Sequence, residues 1–372
     1  MKSLDVLYEL MKSALWSRPA VVDAGFKDWA DVFAVAKSQS VLALVGHAAL
    51  NNAHVREMLP AGMDEKLKAF VMANVATHNM LNGTLARVVN TLNEASIEYV
   101  LLKGQGLAKN YPVPELRACG DIDVYVGTKN YIKACELLRT IATWHQEMSP
   151  MEDVKHYDIM IGKISVEIHR FSDVNASAHY DKIYQKYSDD GLSKNLRVLP
   201  IAGVPVNSPA DDFNAYYVFN HLWHHFMTSG IGLRQFCDWM LFLHKHKADI
   251  NLERLETILN EMDMMKPWQS FGCVLVDVLG MQAEDFPFYD KRKSGKVKGI
   301  MSLVIKEGNF GHEREFYKNR STESYFKRKA KSLYYHTLRS IRLFGQFPSH
   351  SVRQYMSVVT TGIDNVLKDK IK

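Results

Sequence analysis

Asp121 and Asp123 stand on either side of Ile122 in the run Gly120-Asp121-Ile122-Asp123-Val124-Tyr125-Val126. Polar and apolar residues alternate there with the period of a strand. The two carboxylates therefore point to one face with Tyr125, while Ile122, Val124 and Val126 pack the other. Like charges one strand pitch apart repel unless a cation lies between them, so the pair is costly as structure and suited to a divalent metal ion. The run Ile164–His169 sorts the same way, with Ser165, Glu167 and His169 on one face and Ile164, Val166 and Ile168 on the other. Placed beside the first strand, it makes Glu167 a third carboxylate. Three hard oxygen ligands select Mg²⁺ or Mn²⁺ over zinc. Two such ions, about 3.5–4 Å apart, clamp the attacking and leaving oxygens of an in-line phosphoryl displacement. An Asp-x-Asp pair also occurs on exposed strands and at loop caps. Here it follows, about 17 residues on, an apolar run ending in Lys103-Gly104-Gln105-Gly106. The glycines of that turn allow close backbone approach and offer N–H groups to phosphate oxygens.

Other residues can serve the same chemistry or plain structure. Arg117, four residues before Asp121, is either a planar donor for a triphosphate or the partner of Glu115. His169 orients Glu167, contacts substrate or is a satisfied structural histidine at a strand end. His221 and His225, four apart, share a helix face, a spacing that can bind zinc. That segment lacks the general-base Glu of a zinc protease and an obvious third ligand, so lining the acceptor side of a cleft is the expected role. Arg234 is a candidate substrate contact, although Arg234 and Asp238, also four apart, most simply form an intrahelical pair, worth about 0.2–0.5 kcal/mol if exposed.

The elements that must hold these residues follow from periodicity. Residues 1–94 read as helices, and the stripe Leu67, Val71, Val75, His78, Leu81, Leu85, Val88, Leu92 keeps one helix face apolar, as core packing requires. The period changes at the strand-like run Ile97–Leu102. Asp121–Val126 is a second strand, and Lys129–Ala142 is helical after the break at Gly127. His156–Ile161 and Ile164–His169 form a hairpin about the turn Gly162-Lys163. Pro205 and Pro209 close this mixed unit. Helices return at Ala210–Met227, Leu233–Lys247 and Leu252–Met264, followed by a loop over Asp285–Gly299 carrying Lys291-Arg292-Lys293. Glu323–Phe344 reads as an amphipathic basic helix that packs Phe326, Ala330, Leu333, Tyr334, Leu338, Ile341 and Phe344 on the domain. Its Lys327, Arg328, Lys331, Arg339 and Arg342 lie largely off that face. The resulting fold class is α+β, a small mixed sheet over 95–207 between helical regions 1–94 and 208–372.

Composition narrows the field. At 372 residues, 47% hydrophobic and 23% charged, the chain is long enough for two or three domains and is neither disordered nor, with 21 Gly and 11 Pro, collagenous. Cys119, Cys135, Cys237 and Cys273 form no Cys-x-x-Cys pair, which excludes a cysteine zinc site of usual spacing and a disulfide-dense scaffold, and fits a reducing compartment. No signal-peptide core or run of ~20 apolar residues is present, so a cytoplasmic protein without a transmembrane segment is expected. The net charge of +5 hides a gradient: Lys291–Lys372 holds 19 Lys and Arg against 6 Asp and Glu, and the preceding residues 27 against 35. A basic C-terminal region on an acidic body points to an anionic partner (RNA or a membrane surface), or to no more than a solvated helix face.

The combination Leu101-Leu102-Lys103-Gly104, Leu107, Tyr111, Pro114, Arg117, Asp121-Ile122-Asp123 and Glu167-Ile168-His169 resembles an uncharacterised nucleotidyltransferase family of the polymerase-β-like superfamily. The segments His221-Leu222-Trp223-His224-His225 and Gly232-Leu233-Arg234-Gln235-Phe236-Cys237-Asp238-Trp239 resemble its C-terminal part, so the likeness spans about residues 65–250. It implies a nucleotidyltransferase core in which the turn at Gly104 holds nucleotide phosphates, with Lys103 as a neighbouring cation and Gln105 beside it. Asp121, Asp123 and Glu167 would be both catalytic and metal-binding. The superfamily's usual Gly-Ser or Gly-Gly turn is Lys103-Gly104 here. The implied reaction moves an NMP group from an NTP such as ATP to an acceptor, releasing pyrophosphate with Mg²⁺ or Mn²⁺ as cofactor. A sugar phosphate or other small molecule is the expected acceptor. Toxin-like modification of tRNA or protein, or a non-catalytic nucleotide-binding regulator, are the alternatives.

Overall fold

The computed structural model describes residues 1–147, 155–175, 177–309 and 325–370. The N-terminal region is helical: α1 (Ser3–Trp16), α2 (Trp29–Ser38), α3 (Leu42–Asn51), α4 (Ala53–Glu57) and the 32-residue α5 (Met63–Glu94). The apolar stripe of α5 serves two cores. Near its start Leu67 packs against α3, close to Gly46. Towards its end Leu81, Leu85, Val88, Val89 and Leu92 pack beneath a sheet.

That sheet joins β1 (Val100–Leu101), β2 (Asp121–Tyr125), β3 (Trp144–His145), β4 (His156–Ile161) and β5 (Ile164–His169) in the order β1-β2-β5-β4-β3. β2 and β5 run parallel, and the other neighbours are antiparallel. Between the strands lie α6 (Gln105–Ala108) and α7 (Gly127–Arg139). Ile122 and Val124 of β2, Ile159 of β4, and Val166 and Ile168 of β5 form one dry face against α5 and α7, where Tyr131, Ala134 and Leu138 meet them. The fold is thus α+β, as expected. The first strand is shorter than the run Ile97–Leu102, because only Val100 and Leu101 pair in register with β2. The Gly162-Lys163 turn is as expected, with Gly162 at φ +61° and Ile161 opposite Ile164.

After α8 (Ala178–Gly191), a two-stranded sheet of β6 (Arg197–Ile201) and β7 (Val204–Ser208) leads into α9 (Asp211–Thr228), α10 (Leu233–His246), α11 (Leu252–Glu261) and α12 (Met265–Asp277). Aromatic residues of α9, α10 and α12, including Phe219, Trp239, Trp268 and Phe271, build a second core shared with α1–α3. Residues expected as a loop over Asp285–Gly299 instead form a 3₁₀ segment, Lys291–Lys296, that runs into α13 (Val297–Glu307). Asp290 caps it by accepting from the Arg292 amide.

The basic helix is present as α14 (Tyr325–Phe344), followed by α15 (Pro348–Lys370). Its docked side corrects the expected one. Arg339 is buried, paired with Glu307 and donating to the carbonyls of Phe226 and Met227, and Leu343 is buried nearby. Leu333, Tyr334, Ile341 and Phe344, expected to pack, are exposed. Buried carbonyls at the end of α9 leave acceptors that an arginine fork satisfies and an apolar residue would not, so Arg339 takes the inward position. Glu323 and the Phe326 side chain lie outside the described residues.

Candidate active site

The parallel register of β2 and β5 sets Asp121 opposite Ser165, Asp123 opposite Glu167 and Tyr125 opposite His169. Since side chains at paired positions share a face, the polar side of the sheet gathers both aspartates and Glu167. Their nearest carboxylate oxygens all lie within 4.8 Å of one another. Asp123 is almost wholly buried, at 2% exposure, while Asp121 and Glu167 reach the open side. The chemistry of this donor set, three carboxylates converging on one point, fits a hard divalent cation.

Cations already present answer part of the charge. The Lys103 ammonium lies 3.2 Å from Asp123 Oδ1. His169 Nε2 lies 3.0 Å from the same oxygen and 3.2 Å from Glu167 Oε2. Burial opposes ionisation of Asp123, but Lys103 and His169 outweigh it and hold the carboxyl well below its ordinary range. Burial, reinforced by the Asp123 charge, pushes Asp121 up. The hydrogen bond from His169 draws Glu167 down. His169 itself is raised, because its bonds to Asp123 and Glu167 outweigh the burial that favours a neutral ring.

Lys103 follows the first strand by two residues, and Gly104 turns the chain at φ 57° and ψ −120°, a backbone region essentially closed to residues with a Cβ. This bend lets Leu102 keep its bond to the Asp123 carbonyl (3.0 Å) while Lys103 faces the carboxylates. A cavity of about 350 Å³ opens in front of them, lined by Lys103, Gly104, Gly120, Asp121 and Asp123 on one side and His221, Arg234 and Gln235 on the other. Gln235 and Ser40 are tied to Asn309 at 2.7 and 2.9 Å, and Gln39 accepts from the Leu233 amide, fixing the start of α10 at the rim. A larger cavity, about 630 Å³, lies between α9 and α15 and contains none of the three acids.

Both Arg117 and Arg234 line the cavity, but they are paired otherwise than expected. Arg117 is buried, and its Nε and Nη2 reach the two oxygens of Asp238 at 2.7 and 2.8 Å, while Tyr111 donates to Oδ1 at 2.7 Å. Its Nη1 meets Cys119 Sγ. The expected pairs Arg117–Glu115 and Arg234–Asp238 are therefore replaced by Arg117–Asp238, a contact 121 residues long in sequence that intrahelical spacing does not reveal. Freed from Asp238, Arg234 donates to the Ala118 carbonyl at 2.8 Å, and its charge acts on Asp121 across the cavity. Gln105 is buried and does not line the cavity; both its amide atoms lack partners among the described residues.

His221 and His225 share a helix face, their rings 4.5 Å apart. His221 lines the cavity, and burial together with Lys103 keeps it neutral, far below 6.5. His225 bonds Ser229 Oγ at 2.8 Å, and burial with the neighbouring His224 lowers it to about 3. No metal-ligating group among the described residues includes either ring.

Two sets of residues were not anticipated. Tyr217 of α9 feels the charges of Asp123, Glu167 and Asp121, and its buried hydroxyl has no partner among the described residues. His156 and Asp158 of β4 stand opposite His169 and Glu167. The two-residue hairpin turn fixes that register, so the signal for His156 and Asp158 was already in the sequence. Nothing local marks Tyr217.

Residues 26–280 match the family described as uncharacterised nucleotidyltransferase. A solved structure, an antigenic nucleotidyltransferase-like protein from Paracoccidioides brasiliensis, is 14% identical, covering 54% of this chain and 93% of its own at a TM-score of 0.34. No curated protein matches the sequence. With more than half its length inside that match, the chain belongs to the uncharacterised nucleotidyltransferase family.

Proposed function

We propose that the chain transfers a nucleoside monophosphate from an NTP to a small acceptor, a sugar phosphate or other metabolite, with residues 95–207 as the transfer unit between helical regions 1–94 and 208–372. One observation carries the reading: Asp121, Asp123 and Glu167 come within 4.8 Å of one another, and the two aspartates line a cavity of about 350 Å³. These three side chains would hold Mg²⁺ or Mn²⁺. Bound there, the ions supply charge neutralisation at the reacting phosphate. The acceptor oxygen bonds the α-phosphorus as the α–β bridge breaks and pyrophosphate departs. Lys103 and the Gly104 turn receive phosphate oxygens from the sheet side. Arg234, across the cavity, is the triphosphate cation, and Arg117 braces the wall through Asp238. His221 lines the acceptor side, and His169 orients Glu167 and Asp123.

Pyrophosphate release from a panel of NTPs with Mg²⁺ or Mn²⁺ tests this reading. Asp121→Asn and Asp123→Asn should each lower the rate by at least about 10²-fold, more than loss of an outer-sphere partner usually costs, while both variants stay folded. A wild-type rate in either variant defeats it.

The exposed Leu333, Tyr334, Ile341 and Phe344 lie on α14 with the exposed Lys331 and Arg342. That face favours a second feature, contact of the C-terminal region with an anionic membrane surface, consistent with a protein in which no described helix is long and apolar enough to cross a bilayer.

A further inference from the structure

The polar face of the sheet carries more donors than the three acids require. Across β5 from β2, the register of β4 sets His156 opposite His169 and Asp158 opposite Glu167. One ligand atom each from His156, Glu167 and His169 lies within 4.8 Å of the others. His156 Nε2 is 3.9 Å from Glu167 Oε2 and 3.4 Å from Asp158 Oδ1, and His169 Nε2 is 3.2 Å from Glu167 Oε2. We propose that His156, Glu167 and His169 form a second cation site, sharing Glu167 with the three-acid site and taking a transition-metal dication such as Mn²⁺, Co²⁺ or Zn²⁺ in preference to Mg²⁺.

Donor chemistry is the first argument. Two imidazoles and a carboxylate suit transition metals, whereas Mg²⁺ keeps to oxygen and to water. Orientation is the second. His169 Nδ1 lies 3.3 Å from the Phe171 carbonyl, so its N–H is held by the backbone, the usual outer-sphere arrangement of a metal-bound histidine. Its Nε2 is then aimed between Glu167 and Asp123. Unanswered polarity is the third. His156 Nδ1 is a buried atom without a hydrogen-bond partner among the described residues, and Asp158 Oδ1 has no hydrogen bond there beyond its 3.4 Å approach to His156 Nε2. Finally, all four side chains rise from paired strand positions, which fixes their spacing before any ion arrives.

The site rests on the proposed function only in sharing Glu167, and its test needs no nucleotide. Full-length, metal-stripped protein is given one equivalent of Mn²⁺ in the presence of millimolar Mg²⁺, and pulsed EPR reads ¹⁴N modulation from imidazole on the bound ion. The expected result is a ¹⁴N-coupled Mn²⁺ in the wild type and in Asp121→Asn. In His156→Gln, Mn²⁺ affinity should fall at least tenfold. Bound Mn²⁺ without ¹⁴N coupling in the wild type overturns the proposal, and that measurement decides even if His156→Gln fails to fold. Absent coupling with Asp121-dependent pyrophosphate release removes this site and leaves the transferase reading intact. Present coupling with full turnover in Asp121→Asn does the reverse.

Discussion

The observed arginine pairing can be tested by breaking the Arg117–Asp238 fork. Asp238→Asn keeps the shape and one carbonyl acceptor but removes the charge that answers a guanidinium only 5% exposed. Removing one partner of a buried ion pair costs about 3–5 kcal/mol, because the other charge stays desolvated and unpaired. An unfolding entropy of ~2.1 cal/mol/K per residue gives about 0.8 kcal/mol/K for the 372 residues, so Tm should fall by about 4–6 °C if the chain melts as one unit. Differential scanning calorimetry of the metal-free protein reads this directly. The companion variant is Arg234→Gln. Losing one charge-assisted hydrogen bond to phosphate, about 1.5–3 kcal/mol, lowers kcat/KM for the NTP about 10- to 150-fold. Its Tm should move far less, since Arg234 is only partly buried and makes one bond to a carbonyl. The reasoning is refuted if Asp238→Asn melts within 1 °C of wild type, or if it weakens NTP use as strongly as Arg234→Gln without loss of stability. The second result would make Arg117 the phosphate ligand after all.

Gly104→Ala places a Cβ at φ 57° and ψ −120°, where the expected cost is about 1–3 kcal/mol; the melt should drop and millimolar NTP should stabilise the variant less than wild type, whereas Gly120→Ala, with open space around it, should leave the melt unchanged. Burial lowers the His350 pKa to about 4 from 6.5 against Trp223, so its contribution is complete above pH 6.5 and is lost as pH falls from 6.5 through about 4. At 1.36 kcal/mol per pKa unit that is on the order of 3 kcal/mol, and His350→Gln should flatten the fall in stability measured by denaturant titration between pH 6.5 and 4; an unchanged slope counts against it. Ile341→Glu with Phe344→Glu should abolish co-sedimentation of the full chain with vesicles rich in anionic lipid while leaving Tm within about 1 °C, because both side chains are exposed. Wild-type protein that stays in the supernatant sinks the membrane reading.

What the sequence made legible was whatever two-residue alternation or a short turn encodes. Asp121, Asp123 and Glu167 could be placed on one face because β2 and β5 alternate strictly, and one assumption, that these strands are neighbours, brought them together. The hairpin at Gly162 would equally have delivered His156 and Asp158. Helical periodicity located α5 and α9, but it misjudged α14. Amphipathicity there was read as apolar-inward, whereas the surface it meets offers bare carbonyls and Glu307, and polar demand outranks apolar area when the acceptors are already buried.

The arginines show why charge partners resist such reading. Helical spacing proposes Arg234 for Asp238 at i,i+4, a contact worth a few tenths of a kcal/mol. Burial of Asp238 changes the contest. A buried carboxylate needs both oxygens satisfied, and the fork of Arg117 with the hydroxyl of Tyr111 does this from the loop and short helix that precede β2. The loop is thereby pinned to α10, one wall of the cavity to the other. That pinning sets the distance between the acid pair and Arg234 across the cavity, so an arginine whose spacing suggests a phosphate ligand fixes the wall that carries the other arginine.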